Sequence, residues 1–441
     1  MALCRFSSLQ QPLNRIYKPR TSTAAYWIST LGTAGVGFFM KSIKVDSNLN
    51  VYIAGDHNLS GTQDIAVAKY NSLGVIQWHR SMRTAGFDVL GGIAVDSSGN
   101  VYICGNSNTT AGTGTEIIIA KFNTNGSDLW QRRLGNAAEN IAGGITVDSS
   151  GSVYITGSVQ SNSMTVAKYS TAGVIQWQRD LASVSVPSGS AIAVDSGGNS
   201  FVAGSLTQSG ASAIICKYNA SGILQWQNRL GFVNNTPQGV DIAIDSSGNA
   251  YLCGWFTNTA NYTQDFFLAK YNTSGFLQWQ RHLHGNNDLP TGITIDTNDN
   301  IYVLGFTDQG GNNDYIVARY NTNGVIQWQR RLGTSLLEYP AGITVDVVGD
   351  IYLSGYVTIG GTPTRRDCLF AKLPNNGDKT GTYSVGSLSV TYSTPSFTDS
   401  AGVLSDSPNI ATDSAGALTD AASTLTVVDT LSSFTSTTIL I

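Results

Sequence analysis

Residues 91–105 read GGIAVDSSGNVYICG, and residues 143–157 read GGITVDSSGSVYITG. Two alternating apolar runs flank Asp-Ser-Ser-Gly, which is the pattern of a tight β-hairpin. Alternate side chains share a face, the aspartate supplies an Asx-type hydrogen bond, and the glycine admits positive φ. The same hairpin occurs seven times, with its aspartate at Asp46, Asp96, Asp148, Asp195, Asp245, Asp296 and Asp346. After each of the first six comes an AKYN-x-x-G-x-x-QW variant, ending at Trp78, Trp130, Trp177, Trp226, Trp279 and Trp328. The seventh stops at AKLPNNGDKTG without a tryptophan. The missing strand stands at the front of the chain as AAYWISTLG, with Trp27 in the register of Trp78.

Self-similarity at about 50 residues, with four short β segments per unit, is the signature of a propeller. The sequence therefore predicts an all-β fold: a seven-bladed β-propeller with four-stranded blades, closed by an N-terminal strand that completes the last blade. An extended C-terminal tail follows. The expected divisions are a basic arm over residues 1–20, the propeller over 21–379, and a Ser/Thr/Gly-rich acidic extension over 380–441. Both hairpins of each unit keep their length, whereas the step from Gly157 to Lys168 is shorter than that from Gly355 to Lys372. Fixed turns then lie on one face and variable loops on the other, and the variable face is the candidate interaction surface.

The chain has 441 residues, of which 41% are hydrophobic and only 12% charged, with a net charge of −4. That is ample core and no cationic field, so nucleic acid is not expected as a partner. No segment has the length and apolarity of a transmembrane helix, so membrane insertion is not expected either. Charge is segregated at the ends: Arg5, Arg15, Lys18 and Arg20 stand without an acid. Asp399, Asp406, Asp413, Asp420 and Asp429 stand without a base. The cysteine count is odd. Cys104, Cys216 and Cys253 fall at repeat positions otherwise held mainly by alanine and other small or apolar residues, and read as core residues; Cys4 and Cys368 are unassigned.

GGIAVDSSGNVYICG and GGITVDSSGSVYITG resemble the SBBP-type β-propeller repeats found in many bacterial proteins, and the resemblance extends over about residues 21–379. It implies the propeller fold and says little about activity. The Trp-Asp ending of WD40 blades, the regular glycine pairs of kelch and the tryptophan docking pattern of quinoprotein dehydrogenases are all absent.

Candidate chemistry is sparse. Asp64, Glu116, Asp265, Asp314 and Asp367 precede Lys69, Lys121, Lys270, Arg319 and Lys372 by five residues, a spacing that puts each pair on opposite strand faces. Contacts between adjacent blades are expected instead. Asp296-Thr-Asn298-Asp-Asn300 lacks the glycine and glutamate of a calcium loop, and His282 with His284 lacks a third ligand. No cofactor, metal or catalytic residue is expected. The uneven loops WFTNTANYTQD and YVTIGGTPTRRD supply the candidate ligand residues: Trp255, Phe256, Asn258, Asn261 and Tyr262, with Arg365 and Arg366. Exposed aromatics beside amides suit a sugar or a protein hot spot.

The tail obeys another rule. Its aspartates at 399, 406, 413 and 420 are seven apart, and TSTTILI at the end is apolar and β-prone. It is expected to be disordered, or extended and ordered by neighbouring chains. Low charge and Ser/Thr/Gly-rich extensions resemble bacteriophage structural or fibre proteins. The functional expectation is thus a non-enzymatic virion component for assembly or host attachment. Its partners would be other structural proteins or copies of itself, bound through the extensions, and a host-surface glycan or protein. The alternative is an extracellular or cell-surface glycan-binding propeller of bacterial origin.

Overall fold

The computed structural model describes residues 26–440 apart from 33–37, 59–61, 85, 109–113, 136–138, 160–162, 183–186, 207–211, 232–235, 259–262, 285–286, 309–311, 360–364, 386, 396–397, 402–404, 409–411, 416–418, 423–425 and 429–434. The basic arm expected over residues 1–20 lies outside them, as does Cys4.

Seven antiparallel sheets surround a central cavity. From centre to rim the first blade is Phe38–Val45, Val51–His57, Asp64–Tyr70 and Ile76–Arg83, and the next five blades repeat that order. The seventh has Leu337–Val345, Ile351–Ile359 and Arg365–Leu373, and its fourth strand is Trp27–Gly32 from the other end of the chain. Trp27 pairs with Lys372, as Trp78 does with Lys69. The ring closes as the sequence predicts.

The repeated residues hold each blade to the next. At the inner turn, Asp46 Oδ1 accepts from the N–H groups of Asn48 and Asn50, and Oδ2 accepts from Tyr52 Oη. At the outer strand, Trp78 Nε1 donates to Thr124 O of the following blade, and Trp130, Trp177, Trp226, Trp279 and Trp328 do the same one blade further on each time. The turn glycine of that neighbour lies flat on the indole: a Cβ on Gly126, whose φ is +78°, would come within 2.9 Å of the Trp78 ring. Trp27 closes the circle by donating to Ser72 O. Lys69, Lys121 and Lys270 also reach the next blade, donating to Thr124 O, Thr171 O and Thr322 O. The basic positions of the third strand are therefore inter-blade ties, as expected. Cys104, Cys216 and Cys253 are buried core residues, and Cys368 joins them. Asp296 folds its oxygens back onto the N–H groups of Asn298 and Asn300, which makes that segment a turn.

The tail corrects the expectation. Its described strands are paired along the outer edges of this chain's own ring. Gly381–Val385 and Leu388–Ser393 form a hairpin, and the second strand pairs with Ile326–Gly333 on the rim of the sixth blade. Thr398–Ala401 then pairs with the fifth blade, Ser405–Pro408 with the fourth, Thr412–Ala415 with the third, Thr419–Ala422 with the second and Thr426–Val428 with the first. Thr435–Leu440 ends on Trp27–Gly32 of the seventh. The seven-residue period is one step per blade. Asp399, Asp406, Asp413 and Asp420 stand opposite Leu283, Leu230, Leu181 and Leu134, the same rim position each time. Each blade thus gains a fifth strand, and the N-terminal strand is enclosed between two C-terminal ones.

Candidate functional site

The residue after the hairpin glycine ends near the variable face. In the first four blades it is Asp56, Asn106, Ser158 and Ser205; in the last three it is Trp255, Phe306 and Tyr356. Opposite Tyr356 and Asp56 on the innermost strands stand Tyr339 and Phe39. These aromatics form a chain across three blades. Tyr339 stacks on Tyr356 at 5.0 Å between centroids with an interplanar angle of 23°. Phe39 meets Tyr356 edge-on at 5.7 Å, and Phe306 meets Tyr339 at 6.3 Å. Arg366 lies over the arc, its guanidinium carbon 4.6 Å from the Phe39 centroid and 5.9 Å from that of Tyr356. All five side chains are half-buried, so each keeps an exposed part. Burial pushes the Tyr356 hydroxyl up, and Arg366 opposes the rise, which leaves it a neutral donor.

The loop residues fare differently from the sequence expectation. Ala250–Asn258 is one continuous strand, so Trp255 and Phe256 point to opposite faces. Phe256 is a core residue, 4% exposed and tilted against His282 at 4.8 Å between ring centroids, so its assignment to a ligand surface is corrected. Trp255 is half-buried, one blade beyond Phe306. Asn261 and Tyr262 lie outside the described residues, as do the side chains of Asn258, Arg365 and His284. Arg366 sits with Phe39 and Tyr356 rather than with Trp255. Among the described residues no three His, Cys, Asp or Glu side chains are grouped to hold a metal ion.

The acidic residues of the third strand meet arginines of the fourth strand in their own blade, Asp64 with Arg83 and Glu116 with Arg133, rather than in the next one, and Asp314 also reaches the next blade. Asp314 shares a hydrogen bond with Glu338 at the start of the next blade, and Arg331 pairs with Asp314. Burial pushes the Glu338 carboxyl up to about 8, and the hydrogen bond to Asp314 adds to the rise. Asp288 is pushed up to about 7, by burial first and then by the charges of Asp265 and Asp308. A carboxyl raised in the folded state holds its proton more tightly there, so its contribution is present at low pH and is lost as pH rises through the folded value. His57 has the opposite sign: burial lowers it to about 4, so it acts only below its ordinary value near 6.5. The Glu338 contribution is therefore lost between the ordinary carboxylate range and about pH 8. The melting temperature should fall across that window, and Glu338→Gln should flatten the fall; a parallel slope in both proteins would refute the shared proton.

The profile of the SBBP β-propeller repeat matches residues 91–110, and that of a β-propeller domain of unknown function, DUF5122, matches residues 298–326. No curated protein matches the sequence. Among solved structures, Sqt1 from Chaetomium thermophilum is similar at 10% identity and a TM-score of 0.45, over 77% of this chain and 97% of that one. Polysaccharide lyase Uly1 is similar at 10% identity and a TM-score of 0.47, over 78% and 90%. Likeness at that level is silent on activity. The hairpins and the ring agree with both profiles on the fold: the chain is a seven-bladed β-propeller that carries an SBBP-type repeat over residues 91–110.

Proposed function

We propose that this propeller is a non-enzymatic interaction protein that holds a glycan on its variable face, with the arc of Phe39, Tyr356, Tyr339 and Phe306 as the platform and Arg366 as its polar edge. The observation that carries this reading is the stacked Tyr339–Tyr356 pair, half-exposed under a guanidinium. Aromatic faces receive the apolar C–H surface of a sugar ring, and a guanidinium donates in fixed directions to hydroxyls or a sugar carboxylate. The setting we propose is a bacteriophage particle, where a fibre, tail or decoration protein would use such a face for host attachment. Low charge and the Ser/Thr/Gly-rich tail support it, and recovery of the protein from purified particles tests it.

Tyr339→Ala combined with Arg366→Ala should weaken binding to a glycan array or to host cells by roughly 10- to 100-fold, the range for removing two hot-spot residues. Trp255→Ala should matter less, being outside the stacked chain. Undiminished binding by the folded double variant would move the site off the arc.

A further inference from the structure

The innermost strand of each blade pairs with its hairpin partner along one edge and turns the other to the central cavity. Which backbone groups face inward follows from the pairing. Asp46 N–H donates to Asn50 O at the turn, so that pair is hydrogen-bonded. Antiparallel pairs alternate, which makes Lys44 with Tyr52 a bonded pair and Ile43 with Ile53 a non-bonded one. The N–H of Ile43 therefore points into the cavity. The same turn bond recurs in every blade, so Ile93, Ile145, Ile192, Ile242, Ile293 and Ile343 complete a ring of inward N–H groups at one level.

The fifth blade demonstrates what these donors take. Asp241 Oδ1 accepts from Ile242 N at 2.8 Å, and its Oδ2 accepts from Ile293 N of the next blade at 2.9 Å. One carboxylate bridges two blades. In the second, third, sixth and seventh blades the residue at the position of Asp241 is Gly92, Gly144, Gly292 and Gly342. None of these four has positive φ, so the backbone does not demand glycine there. Its effect is to leave the donors uncovered. A Cβ on Gly92 would lie 3.5 Å from Ile145 N, and one on Gly144 would lie 3.3 Å from Ile192 N.

We propose that the Gly92–Gly144 side of the cavity binds a small carboxylate, whose two oxygens bridge the N–H groups of Ile145 and Ile192 as Asp241 bridges those of Ile242 and Ile293. Charge chooses between the two glycine pairs. The Gly292 position is 3.4 Å from Asp241 Oδ2 and repels an anion, whereas no acid flanks Gly92 and Gly144. Burial raises the Asp241 carboxyl, and the N–H of Ile293 and then Lys44, which lines the same cavity of about 350 Å³, oppose the rise; Lys41 is already paired with Asp56 at 2.6 Å. Asp241 is the one acid among the described lining residues. The volume suits a mono- or dicarboxylate rather than a folded partner.

Malonate titrated calorimetrically into the full chain at low salt tests the site. Binding with one ion per chain is expected. Gly92→Asp, whose added Cβ meets Ile145 at an ordinary 3.4 Å, supplies an internal carboxylate and should abolish binding. Lys44→Gln, at a side chain that is partly exposed, should weaken it roughly three- to tenfold by removing one charge from the cavity. No heat with the wild-type chain overturns the proposal. So does wild-type affinity in folded Gly92→Asp; should that variant fail to fold, wild-type affinity in Lys44→Gln overturns it instead.

Discussion

Trp27→Ala is expected to lower stability by about 3–5 kcal/mol, the range for emptying a large buried aromatic site. Trp27 is fully buried, meets Tyr352 and Phe370 edge-on at 6.2 and 5.6 Å, and donates to Ser72 O in the first blade. The other outer-strand tryptophans are only half-buried, so equivalent changes at Trp78 or Trp328 should cost less. The contrast is the test, read by chemical denaturation of the three variants side by side. It separates ring closure from a generic loss of aromatic packing. Equal losses at all three positions would mean that the junction between the ends of the chain is no different from the other six.

A chain ending at residue 380 should remain folded but become prone to association. The tail is anchored best at its first step, where Val385, Val390 and Tyr392 are almost fully buried against the rim of the sixth blade. Its middle steps are strands of three or four residues. Each backbone hydrogen bond there contributes about 0.5–1.5 kcal/mol net, while ordering each residue costs about 1–2 kcal/mol, so no single step holds by itself. Removing the whole tail uncovers the outer edge of every blade, and open edges pair with other chains. Light scattering should report oligomers that the intact chain does not form, along with a lower melting temperature. A monomeric truncated chain of unchanged melting temperature would reduce the tail to an ornament of the rim.

Most of the ring was legible because its signals are local and repeated. The seven aspartates fix the inner turns, the tryptophans fix the outer strands, and Trp27 carries the register of the strand that closes the circle. The tail's period was equally visible, but its meaning was not. Thr398-Asp399-Ser400-Ala401 has no apolar alternation, and the edge it pairs with exists only once the ring has folded. The aromatic arc escaped for a related reason. Phe39, Phe306, Tyr339 and Tyr356 are far apart along the chain and lie in strands that read as core. Yet the change from Asp56, Asn106, Ser158 and Ser205 to Trp255, Phe306 and Tyr356 at one repeat position was there to be compared. Phe256 was misread as part of the loop, although it holds the repeat position of His57, Ser107, Val159, Leu206, Thr307 and Val357, which is buried in every blade. The junction carboxyls needed the fold as well, since Asp314 and Glu338 belong to different blades.

The enclosure of Trp27–Gly32 between Arg365–Leu373 and Thr435–Leu440 has a consequence for synthesis. Ribosomes add about 5–20 residues per second, so the first strand emerges tens of seconds before either of its neighbours exists. Throughout that interval Trp27 and Ile28, fully buried in the finished ring, have nowhere native to go. The growing polypeptide is thus an arc with one unmatched strand, which stays uncovered until Arg365–Leu373 and Thr435–Leu440 have been made and close over it.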